Sequence, residues 1–399
     1  MKMKINLSHI SASLILCSGF FMSCNPDEEE VVAIPSPVDN SSKQAVIDNY
    51  ANIVYASYED AVFEAENLRT VVVSFLANPT DAGFDACKQA YIASREPYGQ
   101  TDGFRFCDGP IDDENGKEGL MNGWPMDELF VDYVTADASS GIINNPQTHP
   151  VINSSTLEGL NAFDGETNIA TGYHAIEFLL WGQDLSATSP GQRAFTDYVA
   201  NGSGTNLNQE RRGQYLLAVV DLLIQNLQYT TNAWIADEDN YRKTFETQNI
   251  DSSLQKMITG IGRFCKAELF GERMATALNT QDQEDEHSCF SDQTHRDFQL
   301  GITGIENVYK GNYTRIDGTV IDGKGLDELI AETNSASNNE AIGALTETKN
   351  AIFLIQAPFD QEIINAEGRI RVQNAIAKGN ILADKIAAAA SSIGIAITL

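Results

Sequence analysis

Two side chains that can bind a metal ion or transfer a proton lie three residues apart near the middle of the chain. His174 and Glu177 belong to residues 172–182, whose apolar side chains follow a helical spacing. Residues three apart on a helix project from nearly the same face, so this pair can hold one metal ion or orient a histidine base. By spacing alone, an exposed pair or a buried, hydrogen-bonded histidine is the commoner outcome.

Histidine, the commonest metal ligand and general base, is scarce in this chain. Beyond the first 23 residues it occurs only at His149, His174, His287 and His295. The polar cluster 291–297 includes Asp292 and His295 and is typical of a helix N-terminus. With His174 and Glu177, His295 would complete a three-ligand set that leaves an open position for water. Nothing in the sequence shows that His295 and His174 meet, so this set is a hypothesis.

The chain is strongly acidic. Its 399 residues include 26 Lys and Arg against 56 Asp and Glu, a formal net charge of −30. Because a phosphate backbone would be repelled, this charge argues against nucleic-acid binding, whereas cations and basic substrates are attracted. The hydrophobic fraction of 42% is typical of a globular protein, and the length indicates two domains or two packed halves. Phosphate loops, serine-nucleophile elbows, dinucleotide fingerprints and His-Glu-x-x-His motifs are absent from the sequence.

The N-terminus is typical of an export signal. Lys2 and Lys4 precede a mostly apolar stretch at 5–21, which is too short to remain as a membrane span. Cys24 follows it after small residues, in the manner of a bacterial lipoprotein cleavage site. We expect residues 1–23 to be a signal peptide, Cys24 to carry the lipid anchor and 24–40 to be an acidic, Pro-containing tether. Ordinary secretory cleavage, with Cys24 incidental, is the alternative.

Helical spacing dominates the rest of the chain. One apolar stripe recurs at steps of three and four from Ile47 to Phe75 and ends at Asn78-Pro79. No proline occurs between Pro190 and Pro358, and helical spacing recurs over 215–234, 254–269 and 363–393. The sequence therefore predicts an all-α bundle fold.

Two pairs of similar segments suggest an internal duplication. Residues 172–182 align with 301–311, matching both terminal glycines and an Ile-Glu pair. Upstream, Cys87-Lys88 followed by Arg95 aligns with Cys265-Lys266 followed by Arg273. We therefore predict two related helical bundles over 41–205 and 206–399, although chance similarity among helices of biased composition is the alternative.

The four cysteines that follow Cys24 are an even number in an oxidising compartment. They are Cys87, Cys107, Cys265 and Cys289. Sequence alone allows three pairings, and the duplication favours Cys87–Cys107 and Cys265–Cys289. A metal cluster is not favoured, because no two of them form a C-x-x-C pair.

Several ordered blocks together resemble the imelysin family. The first is Gly172-x-His174-x-x-Glu177 in an exported helical protein. The second is Trp124-Pro125-Met126-Asp127, which follows Arg95 and Phe104-Arg105-Phe106. The third is Ser291-Asp292 with Thr294-His295 and Asp297, continued by 301–313. The resemblance covers most of the chain from about residue 41 onward.

The resemblance implies two related bundles with a site in the groove between them, an outer-membrane location facing the periplasm or the cell surface, and a link with iron acquisition. It implies a single ligand site, because Thr303 stands where the first half carries His174. The implied metal ligands are His174, Glu177 and His295, for a divalent metal such as iron or zinc. The implied ligand-binding residues are Arg95, Trp124, Asp127, Ser291, Asp292, Asp297 and Glu306.

Three functions follow from these observations. The first is a lipid-anchored protein that binds a small ligand or metal and serves iron-uptake machinery. The second is a metal-dependent peptidase that acts on peptides, with His174 and Glu177 as the catalytic candidates and Glu306 or Asp292 as the general base. The third is a structural surface lipoprotein in which the same pair is part of a buried polar network.

Overall fold

The apolar stripe of residues 47–75 lies on one long helix, Asn40–Ala77 (α1), in the computed structural model of the chain, which describes residues 38–399. Asp39 caps this helix by accepting a hydrogen bond from the backbone N–H of Ser41 at 3.3 Å. The stripe is buried along its whole length, as the spacing predicts: Ile47, Ala51, Val54, Tyr58, Ala61, Ala65, Leu68, Val72 and Phe75. The predicted signal peptide, Cys24 and nearly all of the tether lie outside the described residues.

The all-α class is confirmed, because helices make up nearly all of the regular structure in the part of the chain described. The helices after α1 are Asp81–Gln100 (α2), Glu118–Met121 (α3), Glu128–Val131 (α4), Gly141–Asn144 (α5), Ser154–Leu160 (α6), Gly172–Trp181 (α7), Gln209–Asn232 (α8), Tyr241–Thr247 (α9), Ile250–Arg263 (α10), Thr276–Thr280 (α11), Thr294–Lys310 (α12), Leu326–Ile352 (α13), Phe359–Ile364 (α14) and Ala366–Ser392 (α15). Short 3-10 turns cover Thr101–Phe104, Phe195–Tyr198 and Gln283–Asp285, and Phe264–Ala275 is a π-helical segment. Asn312–Thr314 (β1) and Val320–Asp322 (β2) pair as a small antiparallel hairpin.

The long helices pack in two groups that share one continuous apolar core. Helix α1 packs against α2 and α8, while α13 packs against α15, which also contacts the π-helical segment. Helix α12 contacts α2, α13 and the 3-10 turn Thr101–Phe104, so it connects the two groups. Helix α8 lies against α1 although it follows the predicted boundary at residue 205, and the division into two bundles stays a prediction. Over residues 38–399, no helix combines the length and the apolar composition that crossing a bilayer requires.

The two segments that suggested a duplication both end at a glycine with positive φ. Gly182 follows α7 with φ +72° and ψ −167°, whereas Gly311 follows α12 in the left-handed helical conformation, with φ +69° and ψ +32°. Their starts differ, since Gly172 begins α7 at φ +82° whereas Gly301 lies inside α12. The duplication therefore stays a prediction.

The predicted disulfides are not formed in this structure. Cys87, Cys107, Cys265 and Cys289 are all buried free thiols. The thiol of Cys107 donates to the carbonyl oxygen of Phe104 at 3.0 Å, and that of Cys265 donates to Gly379 on α15 at 3.5 Å. Burial raises the pKa of Cys87 and of Cys107 to about 12. These side chains pack as small apolar groups, and the pairing that the duplication favoured is not present among them.

Two glycines let the end of α2 approach α12 at backbone contact. A Cβ at Gly103 would lie 2.7 Å from the carbonyl oxygen of Gly304, and a Cβ at Gly304 would lie 2.2 Å from that of Gln100. Rigid backbone surrounds both positions, so no side chain can give way. This approach fixes the distance between α2 and α12, the helices that carry Arg95 and Asp297.

Gly304→Ala should therefore destabilise the protein, by about 1–3 kcal/mol for overpacking at a rigid contact. Gly343→Ala is the matched control, because Gly343 is exposed on α13 with no neighbouring atom within 4 Å of its added Cβ. That control should gain about 0.5–1 kcal/mol from the better helix propensity of alanine. Urea denaturation measures both free energies of unfolding, and equal stability of the two variants would contradict the close approach.

Candidate functional site

His174 and Glu177 are buried together in α7. The Nδ1 atom of His174 lies 3.0 Å from Oε2 of Glu177, and the two residues are 1% and 0% exposed. Helix α7 begins at Gly172, where a Cβ would lie only 2.5 Å from the carbonyl oxygen of Met121. Only glycine fits where the backbones of Gly172 and Met121 approach so closely. This close packing places the start of α7, with His174 and Glu177, inside the protein.

Donors from α2 and from the loop before α12 surround the Glu177 carboxylate. Its Oε1 accepts hydrogen bonds from the backbone N–H of Ser291 at 3.0 Å and from the Ser291 hydroxyl at 2.6 Å. Its Oε2 accepts from the Tyr91 hydroxyl at 3.4 Å. The Glu177 carboxylate is the acceptor in each of these hydrogen bonds. We therefore assign the proton of the His174–Glu177 hydrogen bond to Nδ1 of His174. The other ring nitrogen, Nε2, then carries a lone pair, and it has no hydrogen-bond partner.

His287, and not His295, is the second histidine beside His174. The two rings meet edge to face with centroids 4.7 Å apart, and Nδ1 of His287 lies 2.7 Å from Oδ2 of Asp297. Burial lowers the pKa of His287 well below its usual 6.5, so the ring is neutral. With Asp297 accepting the Nδ1 proton, Nε2 of His287 carries the lone pair, 3.5 Å from the amide nitrogen of Asn122.

The predicted set of His174, Glu177 and His295 is not assembled. His295 is half-buried in the first turn of α12, where its Nδ1 lies 3.2 Å from the carbonyl oxygen of Asp292. Within residues 38–399, one group of three His, Cys, Asp or Glu side chains brings its ligand atoms within 4.8 Å of one another: Asp184, Asp292 and Asp360. The local turn directs His295 to its own backbone, which residue spacing could not predict.

The His174–Glu177 pair therefore does not fit a zinc centre built by the protein alone. Nδ1 of His174 is engaged by Glu177, and Oε1 of Glu177 is engaged by Ser291. Without breaking these bonds the pair offers a metal only the lone pair on Nε2. Protein zinc sites use three or four protein ligands. A metal bound here would need further ligands from a small molecule that arrives with it.

Asp297 connects the second histidine to α2. Its carboxylate accepts from Nη2 of Arg95 at 2.8 Å and from the Ser288 hydroxyl at 2.5 Å, in addition to His287. Arg95 also donates to the side-chain oxygen of Asn122 at 2.7 Å. Burial by itself would raise the pKa of Asp297, but Arg95, His287 and Ser288 together hold it well below its usual value. Asp297 is thus an ionised, fully hydrogen-bonded anchor for the His287 ring.

A cavity of about 330 Å³ reaches this network from the side of His287 and Asn122. The half-buried Trp124 lines it and donates from Nε1 to the backbone oxygen of Glu286 at 3.0 Å. The charged residues that line the cavity are one arginine and three glutamates: Arg105, Glu118, Glu166 and Glu268. The cavity combines an indole, an imidazole and an excess of negative charge, which suits a ligand with cationic or metal character.

The structure brings four of the seven predicted ligand-binding residues to this site. Arg95 and Asp297 form its ion pair, Ser291 binds Glu177, and Trp124 lines the cavity. Each of these four residues contacts a part of the chain that is distant from it in the sequence.

The other three predicted residues lie elsewhere. Asp127 caps α4 by accepting from the backbone N–H of Leu129 at 2.9 Å. Glu306 forms ion pairs with Lys310, at 2.7 Å, and with Lys349. Asp292 points to the separate aspartate group with Asp184 and Asp360.

Sequence reasoning missed His287, Ser288 and Asn122 as parts of the site. His287 could have been found from scarcity, since it is one of only four histidines after the first 23 residues. Asn122 lies two residues before Trp124, just outside the block 124–127 that resembles the family. No motif marks either residue, because each is placed by long-range packing.

Residues 54–386 match the family model described as Imelysin (peptidase M75). The chain is 23% identical over 347 residues to iron-regulated protein A of Synechococcus elongatus, covering 85% of this chain and 82% of that protein.

Two crystal structures have a similar fold. One is assigned as an iron-regulated protein A precursor from Parabacteroides distasonis, with a TM-score of 0.70 and 18% identity, covering 90% of this chain and 96% of that one. The other is an imelysin-like protein from Psychrobacter arcticum, with a TM-score of 0.64 and 11% identity, covering 92% of this chain and 100% of that one. At these identities the similarity establishes the helical fold.

Replacing His287 by Gln should change how stability depends on pH. Below about pH 6.5 the unfolded chain binds a proton at this residue that the folded protein does not, since burial lowers the folded pKa. His287 therefore makes the protein less stable as the pH falls, by up to about 1.4 kcal/mol per pH unit. Urea denaturation from about pH 7 to 5 should show a shallower loss in His287→Gln than in the wild type. Identical slopes would contradict a buried neutral imidazole.

Proposed function

The chain belongs to the imelysin family, and on that premise we propose that it binds a small, metal-bearing ligand in a process related to iron. The iron link is supported by the similarity to a protein named iron-regulated protein A, across most of both chains. The binding role is supported by the chemistry of the site around His174 and His287.

The observation that carries this proposal is the pair of adjacent imidazoles, in which Nε2 of His174 has no hydrogen-bond partner and Nε2 of His287 has only the Asn122 amide at 3.5 Å. Each ring has its Nδ1 held by a carboxylate, Glu177 for His174 and Asp297 for His287. This is the arrangement that orients histidine ligands in metal sites and raises the basicity of the opposite nitrogen. The rings face one another beside a cavity that ends at His287. Two imidazoles are too few to hold a bare ion firmly, but they suit a metal that arrives with its own small chelator.

The cavity walls support the same ligand class. Arg105 is paired with Glu118 at 3.1 Å and with Glu268 at 3.4 Å, so its positive charge is already neutralised. The carboxylates in excess favour a cation, and the indole of Trp124 offers an aromatic face for a planar ligand or a cation. Iron and zinc are the metals we propose to test first.

We propose that the protein works outside the cytoplasm on a lipid anchor at Cys24. The support is the sequence of the first 24 residues, in which a short positive start and an apolar stretch precede a cysteine. A lipid-anchored binding protein at the outer membrane would deliver its ligand to uptake machinery nearby. The acidic tether would keep the folded part at a distance from the membrane.

The metal-dependent peptidase has weaker support. It requires a third protein ligand and a general base in addition to His174 and Glu177. None of the nominated residues is placed to serve. His295 bonds its own turn, Glu306 pairs with two lysines, and Asp292 belongs to the separate group with Asp184 and Asp360. Peptide cleavage that is sensitive to chelators and abolished by Glu177→Gln would nevertheless establish the peptidase in place of the binding protein.

Titration of the metal-stripped protein tests the proposal. We expect isothermal calorimetry to detect saturable binding of at least one of ferric citrate, zinc chloride and haem. Replacing either imidazole, as His174→Gln or His287→Gln, should weaken that binding by at least about tenfold, the lower end of the cost of disturbing a metal ligand's surroundings.

His149→Gln and His295→Gln are the matched controls, because both histidines are half-buried and lie outside the imidazole pair. Both should bind as the wild type does. Thermal melting of every variant separates loss of binding from loss of folding. If all three titrations are silent, or if His174→Gln only lowers the melting temperature while binding is unchanged, the residues form a structural network and the binding proposal fails.

A further inference from the structure

A second polar centre lies apart from the imidazole pair and consists of carboxylates alone. Asp184 follows α7, Asp292 precedes α12 and Asp360 lies in α14. Each contributes one oxygen to a group in which all the atoms lie within 4.8 Å of one another. Three acidic side chains from distant parts of the chain therefore converge on one point.

These carboxylates are buried and have few hydrogen-bond donors: the backbone N–H of Ser186 donates to Oδ1 of Asp184 at 2.9 Å. Asp184, Asp292 and Asp360 are 3%, 8% and 2% exposed. Oδ2 of Asp184, Oδ1 of Asp292 and both oxygens of Asp360 have no hydrogen-bond partner. Glu286 is fully buried and adjoins Asp360 so closely that the two carboxyl groups can share one proton in a hydrogen bond. Buried polar atoms are normally hydrogen-bonded, so this number of orphaned oxygens in one place requires an explanation.

No basic side chain offsets this charge. Among residues 38–399, no Lys, Arg or His lies within ion-pair distance of Asp184, Asp292, Asp360 or Glu286. Burial, and repulsion by neighbouring acids, raise the pKa of Asp184 to about 6 and that of Asp292 to about 7. A buried carboxylate without a counter-ion is costly, and the two remedies are a proton and a metal cation.

We propose that Asp184, Asp292 and Asp360 form a binding site for a hard, oxygen-preferring divalent cation. Separations within 4.8 Å bring the three oxygens close enough for small side-chain shifts to place each of them at the distance of about 2.4 Å that Ca²⁺ prefers. Carboxylate oxygens are the ligands of Ca²⁺, Mg²⁺ and Mn²⁺, whereas the site has no nitrogen or sulfur donor. Glu286 stands beside Asp360 as a further carboxylate, and water would complete the coordination.

An entry path exists for such an ion. A cavity of about 400 Å³ is lined by Asp184 and Asp360, with Asp282 and Glu284 also on its wall. Asp282 is exposed, and burial together with nearby acids raises the pKa of Glu284 to about 7. The negative potential of these side chains would draw cations from solvent toward the buried group.

This site is distinct from the imidazole pair and independent of the function proposed above. The segment 291–292 separates them: Ser291 binds Glu177, whereas Asp292 points into the aspartate group. Substitutions at His287 and at Asp360 should consequently affect different ligands.

Calorimetric titration of the purified, chelator-treated chain with Ca²⁺, Mg²⁺ and Mn²⁺ tests the proposal. We expect equimolar, saturable binding of at least one of these ions and a rise in Tm on its addition. Asp360→Asn and Asp184→Asn should each weaken binding by at least about tenfold, since they remove a direct ligand. Both variants should melt at or above the wild-type Tm in cation-free buffer, because each removes one repelling charge.

Asp282→Asn is the matched control, since it removes an exposed charge at the cavity wall but no oxygen of the group. It should bind the ion as the wild type does. Should none of the three ions bind, the carboxylates are held by protons and the proposal is overturned. Binding that is unchanged in both Asp360→Asn and Asp184→Asn would overturn it equally. If Asp360→Asn does not fold, Asp184→Asn in the loop after α7 decides.

Discussion

The ion pair between Asp297 and Arg95 is the interaction on which the site depends. Asp297 is in the first turns of α12, Arg95 is in α2, and each is almost fully buried. The same carboxylate orients His287 and accepts from Ser288, while the same guanidinium reaches Asn122 beside the cavity. An ionised carboxylate inside a protein is tolerated only with such partners, and the helix N-terminus adds favourable potential. The close backbone approach of Gly103 and Gly304 sets the distance across which the pair forms.

The short segment 286–297 contributes residues to both polar centres. The two centres differ in how the buried charge is compensated. Asp297 is neutralised by the arginine and by donors on every side, so its pKa is held low. Asp292, five residues earlier, meets only other carboxylates, and burial raises its pKa. Asp292 has a left-handed backbone, φ +58°, which turns its side chain away from the network that Ser291 and Asp297 serve. Within five residues the chain thus carries one carboxylate with a counter-ion and donors, Asp297, and one without a counter-ion, Asp292.

The sequence predicted the helices well and the site only in part, for physical reasons. A stripe such as Ile47 to Phe75 depends on local periodicity, and burial follows from it. His174 and Glu177 were found because three-residue spacing on a helix guarantees proximity. His295 was expected where His287 stands, because the direction of each ring depends on the irregular turn between them. The cysteine pairing failed likewise, since it assumed that neighbours in sequence would be neighbours in space.

A network that served stability alone would be expected to leave no orphaned atom. Nε2 of His174 is buried without a partner, and such a group costs about 1–3 kcal/mol relative to one that is satisfied. Well-packed apolar residues of similar volume often match or exceed the stability of a buried ionic network. The persistence of this unpaired nitrogen beside the neutral imidazole of His287 is therefore better explained by an incoming group that supplies the missing partner. The same reasoning applies to the unpartnered oxygens of Asp360, for which the proposed partner is a hard divalent cation.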